Sequence, residues 1–318
     1  MPEESFLAGW HAQVSLPVDA IRVLLADATE DRPAQLEQVV NGYDNEVYRA
    51  ELSSGSTVFV RVGRQPDELF DGETWAMRQA REAGVPVPQV LLETSVETST
   101  GRRPAMVVAS APGVALAQLL PRLSTTDRAM VLANLGRVLA RLHSVRTPGV
   151  WRPDHAGSWP DPHELRRDFV ARRLAERPHL VAAGLSPTEV ERIVALLGDS
   201  PDVPPLTGFV LCHGDATPDH LFIDTDLRVS SVIDWGMWHG GSPVGDLGSV
   251  ASWAHSEPDL DALLAGYGTP LDRSLRERLA RSIVNSLVGQ VAHHVTIGDV
   301  RGTANVTSSL RRALALLG

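Results

Sequence analysis

Apolar residues recur in short, strand-like bursts through the first third of the chain and then settle into helical spacing. Residues 17 to 28 (PVDAIRVLLADA) have the period of a short amphipathic helix. Three strands are expected between residues 35 and 63. Gln35 to Val40 leads into the turn-rich Asn41-Gly42-Tyr43-Asp44-Asn45, Glu46 to Leu52 alternates, and Ser53-Ser54-Gly55-Ser56 makes the next turn. Thr57 to Val62 is β-branched and nearly continuous. After Pro66 the period changes: Glu73, Ala76, Met77, Ala80 and Ala83 share one helix face, which Gly84 and Pro86 end. Two more strands are expected near Gln89 to Glu93 and Ala105 to Ala109. Ala111-Pro112-Gly113 then breaks the pattern as a hinge.

Beyond the hinge the spacing is mainly helical. Ser124 offers an N-cap with Asp127 in the first turn, ahead of an apolar stripe from Met130 to Leu142. Residues 147 to 164, rich in Pro, Gly, Trp and His, read as an exposed loop. Residues 164 to 182, 187 to 198, and most of the chain from 259 on, ending in a helix near Ser309 to Leu317, read as helical. The expected organisation is two lobes, 1–110 and 111–318.

Composition narrows the function classes. A net charge of −10 argues against nonspecific nucleic-acid binding and leans slightly toward a cationic substrate. The single cysteine, Cys212, excludes an internal disulfide and fits a reducing cytosol; in its apolar strand it reads as core. No apolar run approaches a membrane span, and the acidic start Met1-Pro2-Glu3-Glu4 is unlike a signal peptide, so a cytoplasmic location is expected.

Between the helical stretches lies a compact island of strand and chemistry. Gly208 to Cys212 reads as a buried strand, followed by His213-Gly214-Asp215-Ala216-Thr217-Pro218-Asp219-His220. Leu221 to Ile223 and Val229 to Ile233 then form a hairpin across Thr225-Asp226-Leu227-Arg228, followed by Asp234-Trp235. Pairing Asp224 with Val229 places His220 opposite Ile233, beside Asp234. Asp215, His220 and Asp234 should therefore converge at one end of the hairpin, as catalysis by a divalent metal and a general base requires.

This string, together with Gly241-Ser242-Pro243-Val244-Gly245-Asp246-Leu247, resembles the catalytic and metal-binding segments of the aminoglycoside phosphotransferase family: HGDxxxxNxxxD, a hairpin, IDW or IDF, then GDPxxDL. The resemblance covers most of the chain. It implies an α+β, bilobal, protein-kinase-like fold, with a small mixed N-lobe on an antiparallel sheet and a larger, mainly helical C-lobe. It further implies ATP- or GTP-dependent transfer of the γ-phosphate, with Mg2+, to a hydroxyl of a small molecule such as an aminoglycoside, a macrolide or another natural product. By the same resemblance Asp215 is the catalytic base and Asp234 the principal magnesium ligand. His220 stands where the family usually has Asn, the second metal ligand; macrolide kinases of the family carry His here, but imidazole is a softer donor. Ser242 is another departure, where the family often has Asp. The resemblance also implies that His213 and Asp246 brace the catalytic loop.

In the N-lobe, Arg61 is the candidate phosphate anchor, with Arg64 the competing choice just beyond the strand. Glu73 is its candidate partner; by periodicity alone it is equally a partly exposed acid near a helix start. Asn41, Gly42 and Asn45 belong to the candidate loop over the nucleotide phosphates, although the segment lacks GxGxxG and by residues alone is an ordinary hairpin turn. Ala109 and Ala111 would supply purine contacts, an assignment that rests on the resemblance alone. Trp235, Trp238, His239, Trp253, Glu257 and Asp259 are equally acceptor-pocket lining or core and surface.

The alternatives are a metabolic kinase of an amino alcohol or sugar, a metal-dependent hydrolase built on His213, Asp215, His220 and Asp234, and a nucleotide-binding module without catalysis. The hydrolase gives Arg61 and Glu73 no role and lacks the ligands for a closed metal sphere.

Overall fold

The computed structural model describes residues 16–40, 45–64, 70–98, 101–198, 206–254 and 256–316. The fold is α+β, in two compact units. One takes in the chain up to Arg78 and Val87–Pro112; the other takes Gln79–Pro86 and the chain from Gly113 onward.

In the first unit, helix α1 (Val18–Ala28) precedes strands β1 (Pro33–Val39), β2 (Asn45–Leu52) and β3 (Thr57–Gly63); helix α2 (Asp71–Glu82), whose last turn from Gln79 is counted with the other unit, follows, then β4 (Val90–Thr98) and β5 (Gly101–Ala109). The strands form one antiparallel sheet in the order β1-β2-β3-β5-β4. Strand alternation sends Val58, Val60 and Val62 into a core with Ile21, Leu24 and Leu25 of α1, along with Ala105 and Val107. Their neighbour Arg61 must point to the opposite face, where Met106 and Val108 pack with Phe70. β4 and β5 are longer than the apolar residues alone suggest, because their outer ends carry polar residues: Glu97 pairs with Arg102, and Arg103 lies opposite Val96.

That extension exposes something the sequence reading missed. Arg103 and Glu46 form an ion pair at 2.5 Å with side chains 1% and 0% exposed. Arg103 Nε also donates to the Gly63 carbonyl, and Glu46 accepts from Tyr48 Oη and the Leu16 N–H. The pair is satisfied on all sides, as a buried ion pair must be.

The second unit opens with β6 (Val114–Ala115) and α3 (Leu116–Leu119) and continues into the long helix α4 (Thr125–Leu142). Ser124 caps α4, accepting the Asp127 N–H. Helices α5 (Pro162–Ala175), α6 (Arg177–Ala182) and α7 (Pro187–Gly198) follow, the second carrying Pro178 in its first turn, where a proline is tolerated. Next come β7 (Val210–Cys212), β8 (Leu221–Ile223), β9 (Val229–Val232) and β10 (His239–Gly241), then α8 (Pro243–Trp253), α9 (Glu257–Tyr267), α10 (Arg273–Ile297) and α11 (Val300–Leu316). One core joins α6 and α7 to α10 and α11 through Leu180, Ile193, Val284, Val288 and Leu310. Cys212 is fully buried, as its strand predicts.

Residues 147–161 are irregular as expected, and 154–158 are exposed, but the start of the stretch is not. Thr147 and Val150 are buried, and Trp151 exchanges both backbone hydrogen bonds with Gly240 at 2.7 Å. Backbone pairing, which residue types do not announce, converts this stretch into a strap over β10.

Candidate active site

The hairpin delivers its residues by a route slightly different from the simple register. Ile223, not Asp224, pairs with Val229; a bulge at Ser230 restores the frame, so Leu221 faces Val232. The Ile233 N–H then bonds the His220 carbonyl at 2.9 Å, which puts His220 beside Asp234 as expected.

His220 sits between two carboxylates. Its Nδ1 lies 3.3 Å from Asp215 Oδ2 and its Nε2 lies 3.4 Å from Asp234 Oδ2. Nδ1 also donates to the Asp215 carbonyl at 3.0 Å, an oxygen that can only accept, so Nδ1 carries a proton and Nε2 is the atom turned to Asp234. Burial opposes a charge on the ring, but the Asp215 hydrogen bond and the charges of Asp234 and Asp215 outweigh it, and His220 is raised to about 9. Asp215 and Asp234 keep 34% and 45% of their side-chain surface exposed, so both can meet a ligand from solution.

Asp234 is one of three non-glycine residues with positive φ among those described (60°), a left-handed conformation that Asp tolerates better than most residues. It turns the chain sharply into a 3₁₀ turn, Trp235–Met237. Trp235 is fully buried and its indole N–H bonds the Val232 carbonyl at 3.0 Å.

Asp246, in the first turn of α8, braces the loop that carries Asp215. Oδ2 accepts the His213 N–H at 2.7 Å and Oδ1 the Gly214 N–H at 2.8 Å. His143 Nε2 lies 3.1 Å from Oδ2, and His143 Nδ1 lies 3.0 Å from Tyr267 Oη. Burial alone would raise the Asp246 carboxyl, but the His143 hydrogen bond, the two histidines and the Gly214 amide hold it well below the ordinary range. Gly214 has φ +84°, and a Cβ there would lie 2.1 Å from the Met237 carbonyl, which is why the motif needs glycine. His213 donates Nε2–H to the Ile233 carbonyl at 2.9 Å and accepts the Asp215 N–H; burial pushes its pKa down, so it is a neutral strut linking the two carboxylate-bearing segments. Ser242, in place of the family's Asp, caps α8 by accepting the Val244 N–H.

His143, Cys212 and Asp246 bring potential metal-ligating atoms close together in the core. Their polar atoms already serve the partners just described, burial holds the Cys212 thiol protonated, and Cys212 Sγ itself bonds the Ser242 carbonyl, so the group is structural.

In the other unit, Arg61 Nη1 bonds Glu73 Oε1, with side chains 12% and 5% exposed, and Arg61 lies 5.5 Å from the centre of the Phe70 ring. The inward Glu is thus paired rather than a loosely exposed acid. Asn45 opens β2; Asn41 and Gly42 lie outside the described residues. Ala109 ends β5 with its N–H bonded to the Gln89 carbonyl; Ala111 follows in irregular backbone.

Of the residues weighed as acceptor lining, Trp235 and Trp238 are core; Trp253 donates to the Ala216 carbonyl at 3.1 Å and His239 Nδ1 bonds the Met237 carbonyl at 3.0 Å; Asp259 is buried and pairs with Arg128 at 2.8 Å, whereas Glu257, 3.4 Å from Arg276, is at the surface.

A sheet-based unit with a paired cation, and a mainly helical unit with two carboxylates at a hairpin mouth, define a kinase-like phosphoryl-transfer protein. Residues 35–279 match the family model "Phosphotransferase enzyme family", and the chain belongs to that family. It is similar in fold to aminoglycoside phosphotransferase APH(4)-Ia in a ternary complex with ADP and hygromycin B (TM-score 0.67, 16% identity, covering 93% of this chain and 98% of that one). It is also similar to macrolide 2'-phosphotransferase MphH from Brachybacterium faecium (TM-score 0.57, 20% identity, 92% and 98% covered). A putative aminoglycoside phosphotransferase from Ralstonia eutropha has TM-score 0.63 at 19% identity, with 95% and 96% covered. No curated protein matches the chain in sequence. Family membership leaves the hydrolase reading without support. Among the described residues no helix is long and apolar enough to cross a membrane.

Proposed function

We propose that the chain transfers the γ-phosphate of ATP or GTP to a hydroxyl of a small natural product, with antibiotics the leading acceptor class. The carrying observation is the cradle in which Asp215 and Asp234 flank His220 at one hairpin end. Asp215 would orient the acceptor hydroxyl and take its proton as the phosphoryl group arrives. Arg61, held by Glu73, would grip the nucleotide phosphates; Ala109 and Ala111 would meet the purine, and Asn41, Gly42 and Asn45 would lie over the phosphates.

The donor set fits a divalent cation: Asp234 offers an exposed hard oxygen, and His220, whose Nδ1 is committed to the Asp215 carbonyl, would add Nε2 on giving up the proton that the two carboxylates favour in the metal-free ring. Asp234 is the principal candidate ligand and His220 the secondary one. When bound, magnesium supplies charge neutralisation on the phosphate oxygens.

The similar structures solved with hygromycin B and those named as macrolide kinases support an antibiotic acceptor. His220 leans toward a macrolide-like acceptor and the acidity of the chain toward an aminoglycoside. The test is a coupled nucleotide-consumption screen with magnesium and ATP or GTP across aminoglycosides, macrolides, nucleoside antibiotics and amino alcohols. Turnover with one class, abolished in Asp215→Ala, supports the proposal. Absence of both turnover and nucleotide-induced thermal stabilisation refutes it.

A further inference from the structure

The turn that carries Asp234 is held from two sides. From within, the Trp235 indole bonds the Val232 carbonyl. From outside, Arg152 of the strap reaches across: Nε donates to the Trp238 carbonyl at 2.6 Å and Nη2 to the Gly236 carbonyl. A 3₁₀ turn this short leaves main-chain carbonyls without partners inside the turn, and a guanidinium, with donors in a fixed plane, can serve two at once.

Arg152 is itself fixed. Its guanidinium carbon lies 5.8 Å from the Trp151 ring centre and 5.6 Å from that of Trp238, in contact with both aromatic rings. Trp151 has φ 66°, a conformation costly for an aromatic residue, and is locked there by its paired hydrogen bonds to Gly240. Gly240 has no room for a side chain: a Cβ would lie 2.1 Å from the Gly149 carbonyl. β10, which contains Gly240, pairs with β7, the strand leading into the Asp215 loop. The strap therefore ties the Asp234 turn and the Asp215 strand into one body.

We infer that Arg152 is a positioning residue for the metal ligand Asp234, acting through the carbonyls of Gly236 and Trp238 rather than by touching substrate. The inference rests on the reading of Asp234 as a magnesium ligand. Groups that orient a ligand from behind typically change metal affinity 10- to 100-fold when removed.

The experiment compares wild type, Arg152→Met and Arg152→Lys as full-length protein. Manganese binding is followed by electron paramagnetic resonance in the presence of a non-hydrolysable analogue of whichever nucleotide wild type binds. Magnesium half-saturation of turnover, metal-free nucleotide affinity and thermal midpoint in chelator accompany it. Expected is roughly ten-fold or greater weakening of manganese binding in Arg152→Met, a parallel rise in the magnesium requirement, and metal-free nucleotide affinity within two-fold of wild type. Arg152→Lys, which keeps the charge and can reach one carbonyl, should fall between; it also carries the test if the methionine variant does not fold. Manganese affinity and magnesium requirement within two-fold of wild type in a folded variant would overturn the inference, whatever the thermal midpoint does. Failure of wild type itself to bind manganese with nucleotide would overturn the reading of Asp234, and this inference with it.

Discussion

The Asp246 carboxylate receives the main-chain N–H of His213 at 2.7 Å, and with its other oxygen that of Gly214 at 2.8 Å. A charge from one helix thus fixes the backbone just before Asp215. Asp246→Ala would strand two amides and leave the His143 ring without its acceptor. Destabilisation of roughly 3–5 kcal/mol is expected in urea unfolding, with loss of turnover in whatever fraction remains folded. Asp246→Asn, which cannot accept both amides in the same way, should fall short of full rescue.

Asp215→Asn keeps the shape of the side chain and removes the proposed base. Turnover should drop about 10²- to 10⁴-fold while nucleotide affinity stays within two-fold. Isothermal titration alongside the coupled assay separates the two. A parallel loss of nucleotide binding would reassign Asp215 to the binding site.

His220 links stability to pH in the metal-free protein. Its folded pKa is raised from 6.5 to about 9, so the charged form favours the folded state. The contribution is fully present below about 6.5 and is lost as pH rises toward 9. Its upper bound is about 3 kcal/mol, reduced because both carboxylates are partly solvated. Thermal midpoints of wild type and His220→Asn in chelator should converge between those pH values; a constant difference would count against the shift.

The Arg61–Glu73 pair should act on nucleotide affinity and, because Glu73 is buried, on stability as well. Arg61→Ala removes a charge-assisted contact of about 1.5–3 kcal/mol, so nucleotide KM should rise roughly 10- to 100-fold. Glu73→Gln should give a smaller rise in the same direction, because Arg61 keeps its charge but loses its anchor.

Glu46 and Arg103 should act on stability and not on turnover per folded molecule. Removing either partner leaves a buried charge and should cost about 3–5 kcal/mol; replacing both with apolar residues of similar volume should cost less. A double-mutant cycle by chemical denaturation measures the difference.

The residues proposed to carry the chemistry were legible in the chain because they are local. His213 to Asp234 is a single strand–loop–hairpin unit, and period-two alternation with a short polar link sufficed to bring Asp215, His220 and Asp234 together. The bulge at Ser230 was not legible, since one extra residue in a ladder leaves no mark in composition, yet the frame recovered before it reached the site. Alternation also put Arg61 on the face away from the α1 core. What only tertiary structure decided lies at long separation. Arg103 meets Glu46 across 57 positions, and Arg152 meets Gly236 and Trp238 across more than 80. A main-chain carbonyl has no residue identity to read, and a buried charge declares its partner only when the fold brings the two together. The sequence by itself determined which of the proposed catalytic groups come together at the hairpin end. The folded chain decided what holds them still, because that hold is made by backbone groups and distant charges whose meeting no local pattern encodes.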